Sequence, residues 1–178
     1  MTLSHPLRAL AAVAILTGAA GAAQAQLVYG EVGYMPLNVD ASIGGISVSA
    51  KPTNVRGIIG VGLGPLAIEG LASVSSKDDT TRVAGFDSGV RTEVSSIVGV
   101  FLKPRIDIGP LQLYGRVGAA RTELKVGNEK ESGTNLAYGA GVSFSLSSNL
   151  TLNADYMNYY DADRIKIDGV TVGLGLQF

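Results

Sequence analysis

Few side chains in this sequence could do chemistry, and most of those are better placed to neutralise one another. The chain of 178 residues has one histidine, His5, and no cysteine. Disulfides, thiolate metal sites and cysteine nucleophiles are therefore excluded. A serine nucleophile normally needs a positioned imidazole as its general base, and His5 falls in a leader-like segment described below. Glu31 and Glu69 could form an acid–base pair, but Arg56 and Arg116 offer them salt bridges, and we read them as structural. Asp161-Ala162-Asp163 with Asp168 suggests calcium, yet the spacing is not that of an EF-hand loop; a solvated tip fits better. Gly60-Val61-Gly62-Leu63-Gly64-Pro65 resembles a dinucleotide loop only superficially. Its glycines are spaced G-x-G-x-G, and a proline and another strand follow where a phosphate site needs a helix N-terminus. The sequence thus predicts no catalytic, cofactor-binding or metal-ligating residue and no enzyme.

The elements that would carry these residues have a period of two, the mark of a two-faced strand. The last ten residues read GVTVGLGLQF. Val170, Val172, Leu174, Leu176 and Phe178 alternate with Gly169, Thr171, Gly173, Gly175 and Gln177. The same pattern recurs from Val28, Val55, Leu66, Ile97, Leu111, Leu136 and Leu150. Eight alternating segments of about ten residues are expected of an antiparallel, up-and-down transmembrane β-barrel. The links alternate too. Gly64-Pro65, Gly109-Pro110 and Ser148-Asn149 mark tight turns, whereas residues 37–53, 77–93, 127–135 and 160–168 are expected to be long polar loops at the opposite rim. The loop from Lys77 to Glu93 is the most highly charged.

Residues 1–25 have the form of a secretory signal. Arg8 precedes a short apolar run, and Ala23-Gln24-Ala25 is an A-x-A cleavage site. Cleavage would leave a barrel domain over 26–178. The run is shorter than the roughly 20 residues of a spanning helix. Loss of Arg8 leaves 13 basic and 15 acidic residues, a net charge of −2, which argues against a nucleic-acid partner.

The charges decide which face is inside. A soluble barrel fills its interior with the apolar face. Here the other face collects Glu31, Glu69, Asp107 and Asp155 with Arg56, Lys103, Arg105 and Arg116. Turned inward, they form a balanced lumen charge network, and the apolar face meets lipid without a charge. Gly60, Gly62, Gly64, Gly99, Gly118, Gly139, Gly141, Gly173 and Gly175 fall on the same inward face, making room in a narrow lumen for Tyr29, Tyr114 and Arg116. Tyr34, Tyr138 and Tyr156 face outward near the long-loop ends, and Phe144 and Phe178 outward near the short turns, as interfacial aromatics would.

With these segments and the terminal Leu174-Gly175-Leu176-Gln177-Phe178, the chain resembles the small outer-membrane β-barrel proteins of Gram-negative bacteria, the OmpA/OmpX-like group. The resemblance covers the whole mature chain. It implies residence in the cell outer membrane among lipid and lipopolysaccharide. It further implies passage by way of periplasmic chaperones to the barrel-assembly machinery, for which Phe178 would be the signal, and a monomeric barrel. Some barrels of this size are lipid A deacylases or palmitoyl transferases that rely on histidine, which the mature chain lacks. Two roles remain open: a structural or surface-interaction barrel acting through its extracellular loops, and a small porin-like channel with a narrow charged lumen.

Overall fold

Two of the tight turns begin with glycine for a conformational reason. Gly64 has φ +70° and Gly109 φ +61°. Each is the first of two residues linking paired strand ends, Leu63↔Leu66 and Ile108↔Leu111. A two-residue hairpin loop whose first residue has positive φ matches the right-handed twist of its strands, and glycine takes that φ without steric cost. Gly64 is thus a turn residue, not lumen filling. A Cβ there would meet nothing within 4 Å, which corrects its expected inward position.

The computed structural model describes residues 27–178 apart from 44–45, 78, 84–85, 127–128 and 163–164; the expected signal peptide, 1–25, lies outside the described residues. The strands are β1 (Leu27–Ile43), β2 (Ile46–Ala50), β3 (Thr53–Leu63), β4 (Leu66–Lys77), β5 (Asp79–Val83), β6 (Phe86–Ile108), β7 (Leu111–Val126), β8 (Glu129–Ser145), β9 (Leu150–Ala162) and β10 (Ile165–Gln177). All pairings are antiparallel, and β10 returns to β1 from Tyr29↔Gln177 up to Ala41↔Ile165. β3 continues the line of β2 past Lys51 and Pro52, and β5 that of β4, so the ten strands form the eight staves of a closed barrel. Closure removes the sheet edges that a bilayer core does not tolerate.

The expected long loops are mostly strand. β1 runs up to Ile43 and returns as β2, β6 starts at Phe86, and β8 starts at Glu129. The barrel wall therefore continues past the lipid-facing band. These segments look like loops in sequence because their outward residues are polar, but the alternation never stops. On β1, outward Val28, Val32 and Tyr34 are followed by outward Asn38 and Asp40, while Met35, Leu37 and Val39 point inward and are buried. The apolar residues change face at the height where lipid gives way to water.

One seam breaks the regularity. The β8–β9 ladder runs from Ser145↔Thr151 only to Tyr138↔Asn158. Above it, β8 pairs with β7 as far as Glu129, and β9 pairs with β10 as far as Ala162. The register of β9 on β10 shifts between Ile167↔Tyr160 and Asp168↔Asn158, so Tyr159 is an extra residue, a β-bulge. Bulges end pairing and re-aim side chains; here Tyr159 turns fully into the lumen.

Candidate functional site

The lumen is layered, and its lower layer is ionic. Arg56 on β3 makes a two-pronged contact with Asp155 on β9, Nη1–Oδ1 2.8 Å and Nη2–Oδ2 2.6 Å, and Nη2 also reaches Glu31 Oε1 at 2.5 Å. Arg116 on β7 donates through Nε to Glu69 Oε2 at 2.5 Å, through Nη1 to Asp155 Oδ2 at 2.5 Å, and through Nη2 to Glu31 Oε2 at 3.1 Å. Lys103 on β6 lies 3.1 Å from Glu69 Oε1. Its ammonium stands over the rings of Tyr114 and Tyr29, 4.2 and 4.9 Å from their centroids. The Tyr29 hydroxyl donates to Glu69 at 2.6 Å, and that of Tyr114 to Asp155 at 3.1 Å. Three acids and three bases, all buried, thus balance to zero. The planar guanidinium forks hold two carboxylates at Arg56 and three at Arg116, which is how a charge is kept in a dry interior at acceptable cost.

Six of the eight expected network residues meet in this cluster: Glu31, Arg56, Glu69, Lys103, Arg116 and Asp155. Arg105 and Asp107 do not, which corrects the expected set. Arg105 Nε donates to the Gly64 carbonyl at 3.0 Å, and Asp107 accepts from Gln112 Nε2 at 2.6 Å. Both belong to the short-turn rim, where water solvates them and no buried counter-charge is needed. They line a mouth cavity of about 200 Å³ together with Lys103, Ser143, Thr151 and Asn153.

Small residues make the ionic layer possible. A Cβ on Gly60 would lie 2.3 Å from Tyr29 Cζ, and one on Gly141 would lie 2.6 Å from Tyr114 Cζ. Each tyrosine occupies volume that its facing glycine leaves empty. The glycines and both tyrosines were legible as inward residues in the sequence. Tyr159 was not. Its hydroxyl accepts from Arg56 Nη1 at 3.2 Å and donates to Met35 Sδ at 3.1 Å, but only the bulge puts it there, and no period of two reveals a bulge.

The upper layer is largely apolar, with Asn54, Thr122 and Asn158 buried in it. Met35, Leu37, Val39, Val94, Ile97, Phe101, Ala120, Ala137, Met157, Tyr159 and Ile167 form one buried cluster inside the barrel. It lies above the ions inside the barrel. The outer face is reversed at the same height: Asp40, Arg121, Glu123, Ser132, Thr134 and Lys166 are exposed. Lower on the same wall, Val32, Val100, Ile106, Val172 and Leu174 are more than half exposed with no charge among them. Tyr34, Tyr138 and Tyr156 stand outward between the two zones. Phe178 is outward and 76% exposed, its N–H donating to the Val28 carbonyl at 2.9 Å. Most charged side chains of the expected 77–93 loop lie outside the described residues. Among the described residues no group of acidic or imidazole side chains could hold a metal ion.

A wall of this polarity, apolar outside and ionic within, is a membrane barrel, and the comparisons agree. The attachment invasion locus protein of Yersinia pseudotuberculosis is 36% identical over 73 residues, 38% of this chain. The match spans 40% of that relative's length. The crystal structure of Ail from Yersinia pestis, in complex with the heparin analogue sucrose octasulfate, superposes with TM-score 0.59 at 20% identity, over 86% of this chain and 99% of that one. OprG of Pseudomonas aeruginosa superposes with TM-score 0.62 at 12% identity, over 87% and 97%. Residues 9–178 match the outer membrane protein beta-barrel domain family. With eight staves, a lipid-facing apolar band and an ion-paired lumen in place, this chain belongs to the outer membrane protein beta-barrel domain family.

Proposed function

We propose that this integral outer-membrane barrel is a non-enzymatic surface-interaction protein. Its lumen is a structural seal, and its working surface is the wall that rises above the membrane. The observation that carries this reading is the apolar cluster over the ionic layer. A bore filled in succession by paired ions and by Met35, Ile97, Phe101 and Met157 argues against an aqueous path, and eight strands enclose only enough space for side chains. This filling favours the surface role over the porin-like alternative. Attachment is in the name of the Yersinia relative, and an upper wall of exposed polar strands suits contact with molecules outside the cell.

The signal peptide over 1–25, periplasmic chaperones and the barrel-assembly machinery complete the reading for export. Phe178, outward on the closing strand, is the assembly signal. Lipopolysaccharide and lipid surround a monomeric barrel.

Planar-bilayer recording tests the seal. Refolded wild-type protein is expected to be electrically silent, and steady single-channel steps would restore the channel reading. Proteoliposomes carrying the protein are expected to be retained on surfaces coated with extracellular proteins. Equal retention of empty liposomes would remove the surface role.

A further inference from the structure

One basic side chain of the lumen differs from the rest. Arg56 meets two carboxylates, Arg116 three and Lys103 one. Arg105 meets none among the described residues, yet it is held in place. Its backbone N–H donates to the Pro65 carbonyl at 2.8 Å and its Nε to the Gly64 carbonyl at 3.0 Å. A Cβ on Gly62 would lie 2.6 Å from Nη2 and 3.4 Å from Nη1, so the guanidinium lies along β3 in space that a glycine leaves open. Gly60, the next inward residue of β3, gives the same room to the Tyr29 ring. Fixing a long side chain costs rotamer freedom, which a merely solvated cation would keep.

The acids nearby are occupied elsewhere. Asp107, two residues along β6 and exposed, accepts from Gln112 Nε2 and makes no ion pair with Arg105 among the described residues. The Glu31 carboxylate is shared by Arg56 and Arg116. Neutral donors come from β9. A Cβ on Gly175 would lie 2.5 Å from Thr151 Oγ1 and 2.9 Å from Asn153 Nδ2, so these two tips converge over a third glycine. Asn153 Oδ1 accepts from the Ser143 hydroxyl, which leaves its Nδ2 to donate. Arg105, Thr151 and Asn153 line one cavity of about 200 Å³ at the short-turn mouth, larger than a single water needs.

We propose that this mouth cavity binds a small soluble oxyanion, a carboxylate or a phosphate, with the Nη1 and Nη2 edge of Arg105 as its anchor and Asn153 Nδ2 and the Thr151 hydroxyl as its neutral donors. A guanidinium edge matches two oxygens of either group at once. The ligand enters from the periplasm, because short turns mark that rim. It is free in solution and not a lipid headgroup, because the guanidinium lies on the inward face of the wall. A neutral sugar would suit the hydroxyl and amide but would displace water from the guanidinium without supplying a counter-charge. The site lies across the membrane from the wall that makes surface contact, and neither depends on the other.

Titration of the refolded protein in uncharged maltoside micelles tests this, with sodium phosphate and sodium acetate as probes and sodium chloride at matched ionic strength as control. These micelles contain no phosphate, so a headgroup cannot supply the signal. The side-chain N–H resonances of Arg105 and Asn153 are expected to shift saturably at millimolar probe and to stay in place with chloride. The probe with the lower Kd names the group that is preferred. Arg105→Gln is expected to weaken binding about tenfold or more. Gly62→Ala keeps the cation but drives Nη2 from its place, and should weaken binding similarly. Asp107→Asn should bind at least as tightly as wild type. The boiled-against-unboiled gel shift checks that each variant is folded. Linear shifts that chloride reproduces would overturn the proposal, as would unchanged affinity in Arg105→Gln, which leaves the β3 backbone untouched. Unchanged affinity in a folded Gly62→Ala would overturn it too, since charge without placement would then suffice.

Discussion

The lower and upper halves of the lumen solve one packing problem with opposite chemistry. Below, Glu31, Arg56, Glu69, Lys103, Arg116 and Asp155 fill the bore as a closed set of ion pairs. Above, Leu37, Ile97, Phe101 and Met157 fill it as hydrocarbon. The outer wall explains the choice. Where it must be apolar for lipid, inside and outside cannot both be greasy without erasing the alternation that fixes register, since a one-residue slip would then exchange equivalent faces. Ions inside make such a slip intolerable. Where the wall meets water, its polar face is already outside, and the interior can be a conventional dry core, as in a soluble barrel. The ionic half contributes specificity, and the apolar half contributes burial.

The largest test of this contrast is Arg116→Ala. It strips one partner from each of Glu31, Glu69 and Asp155, and we expect a loss of about 3–5 kcal/mol in urea unfolding from lipid vesicles. Removing Glu69 together with Arg116 restores charge balance and should cost less than Arg116→Ala alone. If the double variant is the worse of the two, the ionic half is not acting as a balanced set.

Next come two outward positions on β1. Val32→Arg places a cation in lipid and should cost about 2–4 kcal/mol. Asp40→Arg, on the same face higher up, should change stability by less than about 0.5 kcal/mol. Equal costs would erase the boundary between the zones. Ile97→Ala, fully buried in the upper half, should cost about 2–3 kcal/mol through its cavity; a loss near zero would mean that the upper bore is loosely packed. Within the lumen, the smallest expected loss is at the hinge between the halves. Tyr159→Phe removes the hydroxyl that links Arg56 to Met35, about 1 kcal/mol, measured by the same unfolding curves.

Much of this was legible in the sequence. Strand number, turn positions, lipid-facing residues and six of the network residues follow from the period of two together with the sign of each charge. Arg105 and Asp107 were misplaced because the pattern reports face but not depth. The upper core was missed although a signal existed. In Met35-Pro36-Leu37-Asn38-Val39-Asp40 the apolar residues move from even to odd positions, against Val28, Val32 and Tyr34 below. A rule that polar segments are loops hid that change of phase, which β10 repeats between Ile165-Lys166-Ile167-Asp168 and Val170-Thr171-Val172. The Tyr159 bulge left no such trace, since it emerges only from the register between two distant strands.

The change of face on the outer wall also sets a draught line. Tyr34, Tyr138 and Tyr156 ride at the waterline, with Asp40, Arg121 and Lys166 as freeboard. Sinking by four residues along a strand, about 14 Å, would submerge Arg121 and Lys166; rising as far would lift bare valine and leucine into water. The hull therefore floats at one level, and a leaflet that is too thick or too thin must bend to meet it.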